Sequence, residues 1–98
     1  MKYFDWNQEK NRQLKRGRGV SFEDVLVAIS EDRLLAIKDN PQPKRYPKQK
    51  IFVVEIGSYA YLVPFVEDEE KVFLKTIIPS RKATKTYLFK GRVQDEIL

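Results

Sequence analysis

The residues best suited to chemistry follow Pro79, where Arg81, Lys82 and Lys85 stand close together. Ser80 is a suitable helix N-cap, so the three cations are expected on the first turns of a short helix. Cations near a helix N-terminus are disfavoured by roughly 0.3–1 kcal/mol each. Their presence therefore indicates a use other than stability, which is either phosphate binding or the binding of an acidic protein.

A second basic stretch lies in residues 39–50, DNPQPKRYPKQK, where three prolines prevent regular structure. Here Lys44 and Arg45 precede Tyr46. A guanidinium can hold phosphate oxygens, and an aromatic ring can stack on a nucleobase. The alternative is a solvated loop in which Tyr46 anchors to the core.

The composition limits the possible chemistry and the possible partners. The chain has no histidine and no cysteine, which excludes a Ser-His-Asp triad, disulfides and the usual zinc ligands. The formal net charge is +5, and residues 91–98 carry a net −1, so the positive excess lies in residues 1–90. Nucleic acid is the first expected partner, and an acidic protein is the second.

Further expectations concern location and cofactors. No apolar run approaches the roughly 20 residues that span a bilayer, and the N-terminus lacks the apolar core of a signal peptide. We therefore expect a cytoplasmic protein without a membrane contact. The four acids at 67–70 are better explained by a solvated hairpin tip than by a metal site, so we expect no metal and no cofactor.

Two helices are predicted near the N-terminus. Asn7 can cap a helix over residues 8–16, which the glycines at 17 and 19 would end. Arg18 lies in this basic corner, and the corner is either a simple helix stop or a phosphate contact.

The second helix is predicted to begin after Ser21, which opens a capping-box sequence, SFED. It would extend to about Ser30. Its apolar residues recur with helical spacing and are assigned to the core: Phe22, Val25, Leu26 and Ile29.

Four strands are predicted, over residues 34–37, 51–56, 59–66 and 72–78. Gly57-Ser58 is typical of a tight hairpin turn, and Pro64 predicts a bulge or an end of regular pairing. In the last strand Val72, Leu74, Thr76 and Ile78 would share one face, opposite Phe73, Lys75 and Ile77.

The predicted fold is α+β, with two N-terminal helices, a four-stranded mainly antiparallel sheet and a short C-terminal helix. Residues 1–90 would form one domain. Gly91 would cap the last helix, and residues 91–98 would be a C-terminal tail.

Three stretches, in this order, resemble the BrnT family of type II toxins. They are FDWNQEKN at 4–11, GVSFED at 19–24 and IPSRKAT at 78–84. Arg45-Tyr46 falls where the family has Glu-Arg-Tyr before the second strand. There are two departures: Arg18 stands where the family often has histidine, and Lys44 stands where it commonly has glutamate.

The resemblance implies a fold similar to RelE-like ribonuclease toxins. It also implies cleavage of RNA, with or without the ribosome, in a way that stalls translation. The partner it implies is a cognate antitoxin encoded alongside.

RNA cleavage by a 2′-hydroxyl needs a base for its proton, cations for the developing phosphorane charge, and an acid for the leaving oxygen. Without histidine, lysine or tyrosine must handle protons, and neighbouring cations would have to lower its pKa. Arg45, Arg81 and Lys82 are the candidate phosphate clamp. Lys75 or Lys85 would handle protons. The candidate RNA-binding residues are Arg18, Lys44, Tyr46 and Tyr87, and the two tyrosines would stack on bases or donate a proton.

A second function remains open at this point. A basic sheet face with aromatic residues can bind RNA or an acidic protein without cutting anything.

Overall fold

The first helix begins where its cap predicts. In the computed structural model, which describes residues 2–89, α1 is Gln8–Arg18, and Asn7 Oδ1 accepts a hydrogen bond from the Lys10 amide at 2.9 Å. The helix continues through Gly17, two residues beyond the predicted end. It stops at Gly19, whose φ of 70° is the left-handed conformation that glycine adopts most easily.

The second helix, α2, is Phe22–Ser30, and its predicted capping box is confirmed. Ser21 Oγ accepts from the Asp24 amide at 3.2 Å, and the Asp24 carboxylate accepts from the Ser21 amide at 2.9 Å. Phe22 and Val25 are fully buried, as the helical spacing predicted.

Among residues 2–89 the sheet has six strands rather than the four predicted. They are β1 Tyr3–Asp5, β2 Leu34–Asp39, β3 Lys50–Ile56, β4 Tyr59–Glu67, β5 Lys71–Leu74 and β6 Ile78–Pro79. The order is β1-β5-β4-β3-β2, and β6 pairs with β4. All pairs are antiparallel except β1 with β5, so the sheet is mixed.

The predicted strand over 72–78 is divided, and its predicted alternation fails after Leu74. Leu74 pairs with Phe65 and Ile78 pairs with Leu62. Two residues of β4 lie between these partners, whereas three residues, 75–77, lie between Leu74 and Ile78. The extra residue reverses the side on which later residues point. Ile77 is therefore fully buried, and Ile78 is exposed.

Pro64 explains where this interruption falls. It pairs in register with Ile51 on β3, so pairing on that side is regular. Its carbonyl accepts from the Lys75 amide at 2.8 Å. Because the N–H and C=O of a strand residue point the same way, the missing N–H of Pro64 faces the gap between β5 and β6.

The β3–β4 hairpin forms at Gly57-Ser58, as predicted. Both residues have positive φ, 59° for Gly57 and 65° for Ser58. Two left-handed residues define a type I′ turn, whose twist matches that of the flanking strands.

The main core lies between the α1–α2 pair and one face of the sheet. It joins Leu14 and Phe22 from the helices to Val54, Val63 and Leu74 from the strands. Within the part of the chain that the structure describes, the opposite sheet face, which we call the open face, is covered at one corner only. There α3, Arg81–Thr84, continues into a π-helical turn, Lys85–Phe89.

Two earlier predictions lie outside the described residues, namely Gly91 as a helix cap and residues 91–98 as a tail. Among residues 2–89, no helix is long and apolar enough to cross a membrane.

Candidate nucleic-acid interface

The motif IPSRKAT at 78–84 contains residues that fasten α3 to the sheet. Ser80 Oγ accepts from the Ala83 amide at 3.1 Å, which confirms Ser80 as the N-cap. Thr84 is 1% exposed, and its Oγ1 accepts from the Ala60 amide at 2.9 Å and donates to the Ser80 carbonyl at 2.8 Å. Ala83 packs against Val53 and Ala60.

The two cations of the same motif point away from this contact. Arg81 and Lys82 are both exposed, since Ala83 and Thr84 take the buried side of the short helix. The motif thus divides into a structural part and a basic part. The side chains of Arg81 and Lys82 make no hydrogen bond or ion pair within residues 2–89.

A groove of about 580 Å³ lies on the open face between α3 and the end of β2. The π-helical turn places Tyr87 on its wall. Lys38 Nζ lies 5.6 Å from the centroid of the Tyr87 ring, a cation–π contact. The residues that line it are Lys38, Asp39, Pro41, Ile51, Val53, Leu62, Ser80, Lys82, Ala83, Thr86 and Tyr87.

A second groove of about 520 Å³ lies between the proline-rich loop and the interruption between β5 and β6. The loop is closed by Asn40, whose Nδ2 donates to Gln49 Oε1 at 2.7 Å and whose amide donates to the Gln49 carbonyl at 3.2 Å. The residues that line it are Asn40, Pro41, Gln42, Arg45, Tyr46, Gln49, Ile51, Leu62, Pro64, Lys75, Thr76 and Ile78.

Arg45 and Tyr46 act as a pair on the wall of the second groove. The guanidinium carbon of Arg45 lies 5.4 Å from the centroid of the Tyr46 ring. Tyr46 is 39% exposed, so its ring is not anchored in the core. Both side chains are available to a ligand.

The two grooves share Pro41, Ile51 and Leu62, and we treat them as one open-face groove. Its lining holds four cations, Lys38, Arg45, Lys75 and Lys82, and one carboxylate residue, Asp39. None of the four cations has a carboxylate within 4.0 Å among the described residues, and the ion pairs found there lie elsewhere. A concave surface with unneutralised positive charge attracts polyanions.

The structure brings some predicted site residues together and leaves others apart. Arg45, Tyr46, Lys75, Lys82 and Tyr87 line the open-face groove. The other predicted site residues do not line it. Lys44, Arg81 and Lys85 are exposed elsewhere, and Arg18 donates from Nη1 to the Ile77 carbonyl at 2.7 Å.

Sequence reasoning missed Lys38 and Asp39. Lys38 pairs with Ile51, which places it on the open face, whereas Asp39 pairs with Lys50 at the next position. Because side chains alternate along a strand, Asp39 occupies a register position of the opposite face. The alternation of side chains along β2 could have indicated Lys38. The alternation shows which residues share a face, but only the register with β3 shows which face that is.

Comparison of this chain with family models, curated proteins and solved structures finds no match. The groove itself must therefore carry the functional interpretation.

Carboxylates that accept strong hydrogen bonds lie outside the groove. The side-chain amide of Asn11 donates to Glu23, which lowers the pKa of that carboxyl below its ordinary value of 4.5. The backbone amides of Lys71 and Glu70 lower the pKa of Asp68 in the turn between β4 and β5. Among residues 2–89, no three side chains of metal-ligating type cluster.

Proposed function

We propose that this chain is the toxin of a type II toxin–antitoxin system, an endoribonuclease similar to the BrnT family and neutralised by a cognate antitoxin. One observation carries the proposal. Four cations that have no carboxylate partner within residues 2–89 line one groove together with two tyrosines, one exposed and one half-buried. These are the side chains that bind phosphates and bases of single-stranded RNA.

The groove walls suggest how a phosphate would be held. Lys82 lies on the α3 wall and Arg45 on the loop wall, so a phosphodiester on the shared floor is approached by cations from two sides. The attacking 2′-oxygen forms a bond to phosphorus as the bond to the 5′-oxygen breaks. The cations stabilise the extra charge of that transition state, and such electrostatic stabilisation is usually the largest share of catalysis.

Proton transfer falls to the side chains beside this phosphate. Lys75 stands at the second groove, and Tyr87 at the first, where each can exchange a proton with a ribose oxygen. Arg81 and Lys85 are exposed next to α3 and would contact flanking phosphates rather than the scissile one. The reaction needs no metal.

The RelE-like character of the fold and the cytoplasmic location belong to the same proposal. The α+β arrangement supports the first, since a helix pair covers one face of the sheet and leaves a basic groove on the other. RNA in translation is a cytoplasmic substrate. An antitoxin that neutralises the toxin would cover the open face.

Growth after induction tests the proposal. Expression of the wild-type chain alone should arrest growth, and Arg45→Ala/Lys82→Ala should relieve the arrest at equal soluble expression. The matched control is Arg12→Ala/Lys15→Ala, which removes the same charges from the exposed surface of α1. It should arrest growth like the wild type.

Purified protein then separates chemistry from binding. The groove variant should lose at least about 100-fold in RNA cleavage, while the control variant keeps wild-type activity. A wild-type chain that neither arrests growth nor cuts RNA would contradict the proposal.

A non-catalytic binding module for RNA or an acidic protein is the second candidate. The observation in its favour concerns the groove lining. Histidine and carboxylates are the commonest general bases, but the chain has no histidine. The one carboxylate residue of the lining, Asp39, pairs with Lys50 at a register position of the other face. In that case the groove variant would lose affinity for the partner, and no cleavage would be seen in any form of the protein.

A further inference from the structure

The segment Lys71-Val72-Phe73-Leu74-Lys75 carries a basic and aromatic pattern of which the open-face groove includes only Lys75. Val72 and Leu74 are buried in the main core, whereas Lys71 and Phe73 are half-buried and Lys75 is exposed. Because strand side chains alternate, Lys71 and Phe73 of β5 lie on the open face. Lys75 follows the end of β5, and its contact with Phe73 and its place in the groove lining put it on the same face.

Each of the two lysines makes a cation–π contact with Phe73. Lys71 Nζ lies 5.7 Å from the centroid of the Phe73 ring, and Lys75 Nζ lies 5.5 Å from it. Two like charges beside one ring repel each other. Lys71 is partly neutralised by Asp5 at 3.6 Å, but Lys75 has no carboxylate within 4.0 Å among the described residues.

This cluster is continuous with the open-face groove, because Lys75 belongs to both. The sheet order β5-β4-β3-β2 places Phe73 three strands away from Lys38. At about 4.8 Å between neighbouring strands, the two are roughly 14 Å apart across the sheet. A ligand that reaches both ends must be an extended chain.

We propose that Phe73, with Lys71 and Lys75, is a further nucleotide-binding position for single-stranded RNA, next to the groove. The proposal rests on the RNA-binding function proposed above. Both ammonium groups lie over the ring, so a base that stacks on Phe73 displaces a lysine, and the two ammonium groups then bind the phosphates on either side of that base. Stacking on the ring requires an unpaired base, so the ligand class is single-stranded rather than duplex RNA.

An acidic peptide is the less suitable occupant. It would satisfy the two ammonium groups but leave the exposed part of the Phe73 ring without a flat partner. Sequence-independent binding to single strands characteristically combines cations that follow the backbone with aromatic platforms for successive bases.

Oligomers of two lengths test the proposal, with 2′-O-methyl RNA as the probe because it lacks the attacking hydroxyl. A dinucleotide is too short to span the roughly 14 Å from Lys38 to Phe73, and an oligomer of about eight nucleotides is long enough to occupy the groove and reach Phe73. Phe73→Leu keeps an apolar cover over the strand but removes the ring. It should weaken binding of the long oligomer by roughly 5-fold to 100-fold and leave the short one within about twofold.

Phe73→Trp provides a second measurement that does not depend on the leucine variant folding. Its indole should stack on a base, so the long oligomer should quench its fluorescence and the short one should not. The native Trp6 is a constant background, because it stacks on Phe22 on the other side of the sheet.

The outcomes distinguish this inference from the proposed function. Wild-type protein that binds neither oligomer would overturn both. Binding of the long oligomer with unchanged affinity in Phe73→Leu, or without quenching in Phe73→Trp, would overturn the inference alone. In that case the two lysine side chains only cover the ring with their aliphatic stems.

Discussion

The side chain of Thr84 accepts the hydrogen bond of the buried Ala60 amide. Its Oγ1 accepts from the Ala60 amide at 2.9 Å, while the Ala60 carbonyl accepts from the Ser80 amide at 3.0 Å. Both backbone polar groups of Ala60 in β4 therefore bond to the two ends of α3, namely to its N-cap Ser80 and its last residue Thr84. This contact sets the position of the short helix and, through it, the position of Lys82 and Tyr87 in the groove.

Thr84→Val should detach α3 from the sheet edge. Valine keeps the shape but leaves the buried Ala60 amide without a partner, which should lower the free energy of unfolding by about 1–3 kcal/mol. Urea unfolding measures this loss. Thr86→Val is the matched control, since Thr86 is exposed, and it should stay within about 0.5 kcal/mol of the wild type. Equal effects of the two changes would contradict the assignment.

Glu23 makes stability depend on pH in the acid range. Its folded-state pKa is lowered, chiefly by the Asn11 side chain, so its contribution is fully present above the ordinary value of 4.5. The contribution is lost as the pH falls through the folded-state pKa. In Glu23→Gln the free energy of unfolding should therefore fall less steeply with decreasing pH, below about pH 4.5, than in the wild type.

Thermal unfolding across this pH range measures the effect of Glu23. The matched control is Glu69→Gln, an exposed carboxyl that accepts no hydrogen bond within residues 2–89. If the glutamine variants at both positions have the same pH profile as the wild type, the Asn11–Glu23 hydrogen bond has no share in acid stability.

Ser58→Gly should stabilise the protein. Ser58 holds a positive φ of 65°, a conformation that costs a side-chain-bearing residue roughly 1 kcal/mol and glycine little. Relief of this strain is partly offset by the greater conformational freedom of glycine in the unfolded chain. We therefore expect the free energy of unfolding to rise by only about a few tenths of a kcal/mol. Gly57→Ala, at a φ of 59°, should lower stability instead. Urea midpoints of the two variants should lie on opposite sides of the wild type.

Arg18→Ala should destabilise the junction between α1 and the β5–β6 interruption. Its guanidinium donates to the Ile77 carbonyl at 2.7 Å, and loss of this charged donor should cost about 1–2 kcal/mol. Arg16→Ala removes an exposed cation from the same helix end and should have little effect. Unchanged stability with weakened RNA binding would instead support Arg18 as a phosphate contact.

The helices could be predicted because their signals are local. Asn7, Ser21 and Ser80 each accept a hydrogen bond from an amide three residues later, so a short stretch of sequence contains both partners. The hairpin at Gly57-Ser58 is local in the same way. The end of α1 was harder, because only the tertiary structure decided that Gly17 stays helical.

The sheet edges could not be predicted in this way. β1 has three residues, and its partner β5 lies almost seventy positions later, as the register of Tyr3 with Lys71 shows. No periodicity develops over so short a strand. Likewise, the side on which Ile77 and Ile78 point depends on one extra residue opposite Pro64, which only the pairing with β4 reveals.

The candidate site shows the same division. The sequence by itself determined which side chains are basic, that Ser80 begins a helix, and that the loop at 39–50 is irregular. Only the tertiary structure decided that Arg45, Lys75 and Lys82 line one groove with Lys38, and that Arg18 bonds to the Ile77 carbonyl. The physical reason is that caps and turns form between neighbours in the chain. A groove forms between segments that strand register and sheet order bring together.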